Sequence, residues 1–233
     1  MKIALTLIAF LFSSHTFATI WITLSDPASG KIGVIGASSG YIGDYRTMVP
    51  VDNHGIAVVG SWYLGKKQDH LISVIRNPAL TAHEATAEMS RLINLDSHKR
   101  RVSFVNARFE NASVPGRGCH ANNKYCGKYE DPHFTITGGG LVSENVILAA
   151  RDVLADARTE KLPFECRLYL GMKAVFDAGG EYKTIERVAL AVDDLSVNGD
   201  NKMLVWFRKG AEDSLLKQLS GRLSTRGLNC GVL

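Results

Sequence analysis

The chain has 233 residues, of which 45% are hydrophobic and 21% charged, with a formal net charge of +4 and a pI near 8.9. This composition excludes a disordered chain, a repeat array and a strongly basic nucleic-acid-binding protein, and it predicts one domain with a sizeable core. The short basic cluster at Lys99, Arg100 and Arg101 is typical of a solvated face. No nucleic-acid partner is therefore expected.

The N-terminal residues before Thr19 have the pattern of an export signal. Lys2 precedes an apolar run at residues 3–12, and the segment ends in Ala18, with small residues where signal peptidase cuts. The run is shorter than the roughly 20 residues that a membrane-spanning helix needs. We therefore expect cleavage after Ala18, a mature domain at residues 19–233 without a membrane span, and a periplasmic or extracellular location. An uncleaved anchor or a buried strand is the alternative.

The segment that begins at Thr19 predicts β-structure. "TIWITLSD" (19–26) is apolar and β-branched, "DPASG" has turn residues, and "KIGVIGASS" (31–39) is a second strand, so the two strands form a hairpin. After the turn "VDNHG", which contains His54, "IAVVGSW" (56–62) is a third strand whose small residues indicate coverage on both faces.

Two helices and two further strands are predicted in the middle of the chain. "QDHLISVIRN" (68–77) is amphipathic, and "TAHEATAEMSRLI" (81–93) opens with Thr81 and Glu84 in capping-box spacing. The two strands, separated by a long loop that holds the first two cysteines, are "RVSFVN" (101–106) and "HFTIT" (133–137).

A glycine run at residues 138–140 precedes a helix that Ser143 can cap, "ENVILAARDVLADA" (144–157). The remaining predicted elements are the helix "FECRLYLGMKAVFDA" (164–178), the strands "ERVALAV" (186–192) and "KMLVWF" (202–207), and the helix "EDSLLKQLSGRL" (212–223). Strands and helices are grouped rather than alternating. This order predicts an α+β layered architecture, with antiparallel sheets and helices on the outer faces.

The cysteines form an even set, as expected in an oxidising compartment: Cys119, Cys126, Cys166 and Cys230. Three pairings are open. We favour Cys119–Cys126 with a Cys166–Cys230 clamp, because short loops close easily and the C-terminal tail otherwise has little to hold it. Free buried thiols are the alternative. Two histidines near the first pair match no metal-ligand spacing, so no metal and no cofactor are expected.

Thr19 would become chemically special once it is N-terminal. Its α-amino group would titrate near pH 7.7–8.0, roughly, and would lie beside its own hydroxyl, so it could accept the hydroxyl proton directly or through a water. While the peptide bond to Ala18 is intact, that nitrogen is an amide without basicity. Cleavage would therefore convert an inert residue into a nucleophile that carries its own base.

The opening "TIWITLSDPASGKIGVIGASS" resembles that of an uncharacterised bacterial and archaeal domain family placed in the Ntn-hydrolase superfamily. Members commonly begin Thr-Phe-Ser-Ile, then continue through Asp-Pro, a turn glycine and a Gly-Val-Ala-Val-Ala-Ser strand. Further segments follow in the family's order: "HGIAVVGSWY", "RRVSFVN", "PGRGC", "TGGGLVSENVI" and "DAGGEYKTIERVALAV". Cytosolic members would expose their threonine by methionine removal, whereas this chain would expose Thr19 by signal cleavage.

The resemblance implies a four-layer αββα sandwich, two antiparallel sheets between helical layers, with Thr19 at the edge of one sheet. It also implies a set of site residues: Ser38 or Ser39 at the end of the second strand, Ser61 at the end of the third, and Gly138 or Gly139, whose backbone N–H groups would face the oxyanion. For each of these residues, ordinary turn or strand-end chemistry is the alternative.

The sequence departs from the family pattern at two side-chain amides. Trp62 stands where the family usually has Gln, and residues 137–139 read Thr-Gly-Gly instead of Gln-Gly-Asn. The family's Gly-Gly-Asp aspartate is Glu181 here, and the nearby basic position is Lys183. Both positions keep the sign of their charge, but the length of the side chain changes. A missing oxyanion donor can cost about 10²–10³ in rate.

These features predict an exported amidohydrolase that uses Thr19 on an unknown small amide or peptide, such as one derived from the cell wall. The alternatives are a catalytically inactive secreted binding or structural protein with the same fold, and an unrelated disulfide-stapled module. The sequence leaves the oligomeric state open. The paired carboxylates Asp193 and Asp194 are interpreted as a solvated strand end.

Overall fold

The computed structural model describes residues 19–39, 47–60, 67–93, 101–115, 125–181, 184–197, 203–208 and 212–230. Several predictions concern residues outside these ranges: the signal at 1–18, Ser61, Trp62, Cys119 and Lys183. The described ranges hold ten strands and six helices, in a mixed α+β fold with two antiparallel sheets. The predicted grouping of strands and helices is confirmed.

The strands are β1 (Thr19–Asp26), β2 (Lys31–Ser38), β3 (Met48–Val51), β4 (Gly55–Gly60), β5 (Arg101–Asn106), β6 (Asn111–Val114), β7 (Tyr125–Glu130), β8 (Phe134–Leu141), β9 (Arg187–Asp194) and β10 (Met203–Arg208). The helices are α1 (Gln68–Ile75), α2 (Ala82–Leu92), α3 (Asn145–Leu154), α4 (Ala157–Glu160), α5 (Phe164–Asp177) and α6 (Glu212–Ser224).

The larger sheet has the strand order β10-β9-β2-β1-β8-β7, and the smaller one has the order β3-β4-β5-β6. β1 is an interior strand because β2 pairs along one side of it and β8 along the other, both antiparallel. The predicted hairpin of the first two strands is confirmed. β4 is buried along its whole length, as its small residues predicted.

The sequence analysis missed three strands, and each of them lies at the edge of a sheet. β3 contains Pro50, which an edge strand tolerates because a proline lacks the N–H that an interior strand must donate. β6 closes the other side of the smaller sheet, and β7, which lies within the predicted loop, borders the larger one. β7 is only half-buried, so it lacks the apolar pattern of an interior strand.

The core consists of three hydrophobic clusters. One face of the larger sheet, with Ile22, packs against α3, α5 and α6. Its other face packs against the smaller sheet, where Trp21 and Val58 belong to the same cluster. The remaining face of the smaller sheet packs against α1 and α2, with Met89 at its centre. The space between the two sheets is the region that Thr19 borders.

Of the two predictions about helix N-termini, one is confirmed and the other is wrong. The capping box is confirmed, since the Thr81 side chain accepts the Glu84 N–H at 3.2 Å and the Glu84 carboxylate accepts the Thr81 N–H at 2.8 Å. The predicted cap by Ser143 is wrong, because α3 has Glu144 as its N-cap, without a side-chain hydrogen bond. The helix predicted over 144–157 also divides, because Asp156 caps a separate short helix, α4.

The preferred disulfide clamp between Cys166 and Cys230 is confirmed. Cys126 is also disulfide-bonded, and its predicted partner lies outside the described residues. The alternative of free thiols is thus wrong for the three cysteines of the described ranges. These bonds are compatible with an exported protein. In the described part of the chain, no helix has the length and apolar character required to cross a bilayer.

The interpretation of the paired carboxylates as a solvated strand end is wrong for Asp193. This residue is buried, and its carboxylate accepts the backbone N–H of Asn53 at 3.3 Å. Asn53 has a positive φ of 56° in the turn between β3 and β4. Asp193 therefore ties the larger sheet to that turn. His54 lies in the same turn, as predicted, and it is exposed.

Candidate functional site

Thr19 is the first residue of β1 and lies at the rim of the larger sheet. It is directly paired with Ser38 of β2 on one side and with Gly139 of β8 on the other. Directly paired residues of an antiparallel sheet point to the same face. The sheet therefore places these three predicted site residues side by side, on the face that borders the smaller sheet.

The hydroxyl oxygens of Thr19 and Ser38 lie 3.0 Å apart, within hydrogen-bond distance. Both residues are only 1% exposed in the intact chain. A hydroxyl can donate one hydrogen bond and accept two, so Ser38 can orient the Thr19 oxygen while leaving it a lone pair. Thr19 thus has a fixed hydroxyl partner supplied by the neighbouring strand.

The pairing extends this line of residues in both directions. Arg187 of β9 is paired with Ser38, and Cys126 of β7 is paired with Gly139. We call the five paired positions the Thr19 row: Arg187, Ser38, Thr19, Gly139 and Cys126. The row crosses five neighbouring strands of the larger sheet at the level of Thr19.

The remaining predicted site residues of the described ranges lie outside this row. Gly138 is paired with Ile20 and therefore faces the helical side of the sheet. Ser39 follows the end of β2, and its backbone N–H donates to the Glu181 carboxylate at 2.8 Å. Of the predicted set, Ser61 lies outside the described residues.

The glycine run before α3 has two separate structural reasons. Gly139 leaves room for a neighbouring side chain, because a Cβ at this position would overlap the guanidinium of Arg101. Gly140 has a φ of +70°, a conformation that residues with a Cβ rarely adopt. The register between β7 and β8 shifts at this point, where Tyr125 pairs with Leu141. The "GGG" motif therefore lets Arg101 approach and bends the strand.

Arg101 is the first residue of β5 on the smaller sheet, and only 3% of it is exposed. Its Nη2 atom donates to the Cys126 sulfur over 3.6 Å. Burial lowers the pKa of Arg101 to about 10, and attraction to Glu181 opposes that shift, so the guanidinium remains a cation at neutral pH. The prediction of a solvated basic face is wrong for Arg101; Lys99 and Arg100 lie outside the described ranges.

Glu181 connects this cation to the end of β2. It is 4% exposed, its backbone forms an antiparallel bridge with Leu141, and its carboxylate accepts the Ser39 N–H. The sequence analysis noted Glu181 as a longer substitute for the family's aspartate. With this longer side chain, the carboxylate reaches the backbone N–H of Ser39, at the end of the strand next to Thr19.

Trp21 closes the inner end of the site. It follows Thr19 by two residues and so points to the same face, where Gly36 leaves space for its ring. A Cβ at Gly60 of β4 would lie 3.3 Å from the indole Nε1, so the two sheets approach closely here. The indole N–H is buried and has no hydrogen-bond partner among the described residues.

The site chemistry is therefore that of hydroxyls, guanidinium groups and one carboxylate. Within the described ranges, no three His, Cys, Asp or Glu side chains converge as metal ligands do. Sequence reasoning missed the part played by Arg101 and Arg187. One signal was available: in "RVSFVN", alternation places Arg101 on the same strand face as Ser103 and Val105, opposite to the face of Val102.

Comparisons with known proteins give one family and one fold. The model of a protein family of unknown function, DUF1028, matches residues 19–217. A crystal structure of a protein from Silicibacter pomeroyi, described with the same family model, matches with a TM-score of 0.71 and 16% sequence identity, over 89% of this chain and 88% of that chain. At that identity the likeness shows the fold alone. None of the curated proteins matches the chain in sequence.

Proposed function

The chain belongs to DUF1028, a family of unknown function, and we propose that this member is an exported amidohydrolase with Thr19 as its N-terminal nucleophile. One observation carries the proposal. Thr19 is the residue that the predicted signal cleavage would make N-terminal, the family model begins there, and the strand pairing surrounds it with Ser38 and Gly139. The three core clusters support an αββα arrangement of the Ntn-hydrolase type.

The proposed reaction begins when Thr19 has a free α-amino group. The amine accepts the proton of the Thr19 hydroxyl, and Oγ1 attacks the carbonyl carbon of the substrate amide. The C–N bond then breaks, the leaving amine takes the proton from the α-amino group, and the acyl group remains on Oγ1 as an ester. A water hydrolyses this ester in a second step, which restores the free hydroxyl.

Ser38 and Gly139 have separate roles in this proposal. The Ser38 hydroxyl, 3.0 Å from Oγ1, holds the nucleophile in one orientation. Gly139 is the residue directly opposite Thr19, and the family resemblance makes it the proposed oxyanion residue. Gly138 is paired with Ile20, so Gly139 is the nearer of the two glycines to Thr19 across the strand pair.

The burial of Thr19 adds a requirement to this proposal. In the intact chain Thr19 is only 1% exposed, which leaves no room for a substrate amide to approach within about 3–3.5 Å of its hydroxyl. Cleavage is proposed to generate the base, and the reaction also requires a substrate to enter the space between the two sheets. The burial of Thr19 is also the observation that favours the second candidate function, a binding protein with this fold and no catalysis.

The experiment is covalent labelling of the mature protein with a β-lactone, an electrophile that N-terminal threonines open. We expect one adduct per chain by intact mass, located on Thr19, and no adduct in Thr19→Ala. Thr225→Ala is the matched control, because Thr225 is exposed at the end of α6 and should leave labelling unchanged. A mature protein that begins at Thr19, folds and shows no adduct would favour the binding function.

A further inference from the structure

We propose that this site selects substrates whose acyl portion carries a carboxylate, and that Arg101 binds that carboxylate. The inference rests on the proposed function, because it assigns a substrate class to the same Thr19 site. Arg101 comes from the smaller sheet, whereas the reacting residue comes from the larger one. The specificity determinant and the nucleophile thus face each other across the space between the sheets.

The position of the guanidinium is the first argument. Arg101 occupies the volume that a side chain at Gly139 would fill, and Gly139 is directly paired with Thr19. Paired Cβ atoms of an antiparallel sheet lie about 4.5–5.5 Å apart, which places the guanidinium within roughly 7 Å of the Thr19 side chain. Because paired positions share a face, the guanidinium of Arg101 and the side chain of Thr19 lie on the same side of the larger sheet.

This separation fits a short anionic acyl group. The carbonyl carbon of a reacting substrate lies about 3–3.5 Å from the nucleophilic oxygen. A charge-assisted hydrogen bond from a guanidinium to a carboxylate is about 2.7–2.9 Å long. Only a short linker between the scissile carbonyl and the carboxylate is compatible with these distances. The substrate class is therefore the amides of short dicarboxylic acids, whose free carboxylate would contact Arg101.

The charge of the site is the second argument. Arg187 belongs to the Thr19 row and Arg101 contacts it, and both are cations, while the carboxylate of Glu181 interacts with Arg101. Arginine presents its N–H groups in a planar fork that matches a carboxylate with two parallel hydrogen bonds. Arg101 also keeps its charge at neutral pH despite its burial. The surroundings of Thr19 therefore favour an acyl group with a negative charge.

Access to Arg101 and access to Thr19 are one requirement. The two residues are 3% and 1% exposed in the intact chain, and both border the space between the sheets. A substrate that reaches the Thr19 hydroxyl in this space would also bring its carboxylate to the guanidinium. A purely structural role of Arg101, as the partner of Glu181, is the alternative that the experiment must separate.

The experiment compares two esters of fumaric acid on the mature protein: 4-nitrophenyl hydrogen fumarate, which carries a carboxylate, and methyl 4-nitrophenyl fumarate, which does not. Release of 4-nitrophenolate measures acylation, and each rate is corrected for hydrolysis without protein and with Thr19→Ala. We expect the anionic ester to react at least about tenfold faster than the neutral one. Only the anionic ester can accept a charge-assisted hydrogen bond from Arg101, and such a bond is worth about tenfold or more in rate.

The variants separate specificity from folding. Arg101→Gln combined with Glu181→Gln removes both buried charges together, so neither is left opposite a neutral group, and circular dichroism reports whether the variant folds. In it, the ratio of the two rates should fall to about one, whereas Arg101→Lys should keep part of the preference. The control is Arg91→Gln, whose side chain is 75% exposed on α2 and should leave the ratio unchanged.

Each outcome decides one proposal. Acylation of Thr19 by both esters at equal rates, or a preference for the anionic ester that persists in the double variant, would overturn the carboxylate inference and leave the amidohydrolase proposal standing. If neither ester acylates a Thr19 that the β-lactone labels, the carboxylate inference fails alone; if neither the esters nor the β-lactone react, the proposed function fails and the inference falls with it.

Discussion

The guanidinium of Arg101, on the smaller sheet, fills the space that a side chain at Gly139, on the larger sheet, would occupy. This contact explains a glycine that sequence comparison can identify only as a turn or oxyanion residue. It also means that the pairing partner of Thr19 cannot change without moving a buried cation. Both residues are therefore expected to respond strongly to substitution.

Gly139→Ala should destabilise the protein by about 1–3 kcal/mol, the usual cost of overpacking a core, because the new methyl group displaces Arg101. The matched control is Gly221→Ala in α6, where a Cβ would meet nothing within 4 Å. Replacing that exposed helical glycine should instead stabilise the protein by roughly 0.5–1 kcal/mol. Urea denaturation of the two variants measures the difference, and equal effects would contradict the contact.

Ser38→Ala should slow the acylation of Thr19 by about tenfold, because the nucleophile loses the hydroxyl that orients it, and a net hydrogen bond of this kind is worth about 0.5–1.5 kcal/mol. Ser29→Ala, in the exposed turn between β1 and β2, is the control and should have no effect. The measurement is the rate of β-lactone labelling. An unchanged rate in Ser38→Ala would mean that the pair serves the fold alone.

Glu181→Gln should destabilise the protein by about 3–5 kcal/mol, because it leaves the buried charge of Arg101 without its carboxylate. Adding Arg101→Gln should recover part of this loss, so the two substitutions should show a coupling of about 0.5–3 kcal/mol in a double-mutant cycle. Chemical denaturation of the four proteins supplies the cycle. Additive effects would show that the two side chains do not interact.

The Cys166→Ala/Cys230→Ala double variant should lose about 4 kcal/mol of stability, the loop-closure effect expected for a sequence separation of 64 residues. The disulfide ties the C-terminal segment to α5, which packs on the outer face of the larger sheet. Thermal unfolding with and without reductant measures the loss. Reductant should lower the melting temperature of the parent protein more than that of the double variant.

The capping box of α2 predicts an acid dependence of stability. Hydrogen bonds from the backbone N–H and hydroxyl of Thr81 lower the pKa of Glu84 below its ordinary value of 4.5. A carboxyl whose pKa is lowered by folding stabilises the fold above its ordinary pKa, and this contribution disappears as the pH falls through the lowered value. Thr81→Ala should therefore destabilise the protein more at pH 7 than at pH 3. A pH-independent difference would contradict the role of the carboxylate.

Interior strands could be predicted from the sequence, whereas three of the four edge strands could not; the exception is β10. β1 and β2 have long apolar, β-branched runs because both of their faces are covered, and these runs identify them directly. β3, β6 and β7 each pair on one side only and carry polar residues or a proline. A pattern that reflects burial is weak where burial is partial.

The candidate site could also be predicted only in part from the sequence. Thr19 was identified from its type and its position at the predicted cut, and Ser38 and Gly139 were identified from the family resemblance. Arg101 was not, because its importance arises from pairing between distant segments: β5 must pack so that its first residue reaches β8. The alternation in "RVSFVN" places Arg101 on one face of its strand but does not show that this face meets β8, and the three-residue basic cluster suggested the opposite environment.

The central claim is that Thr19 becomes reactive only when the bond to Ala18 is cut. The most direct measurement compares β-lactone labelling of the exported protein with that of an Ala18→Leu variant, in which a large residue at the cleavage position retains the leader. N-terminal sequencing of each sample establishes its first residue. The account predicts that the parent begins at Thr19 and is labelled there, while the variant is not labelled. Equal labelling of both, or an exported protein that begins at another residue, would contradict it.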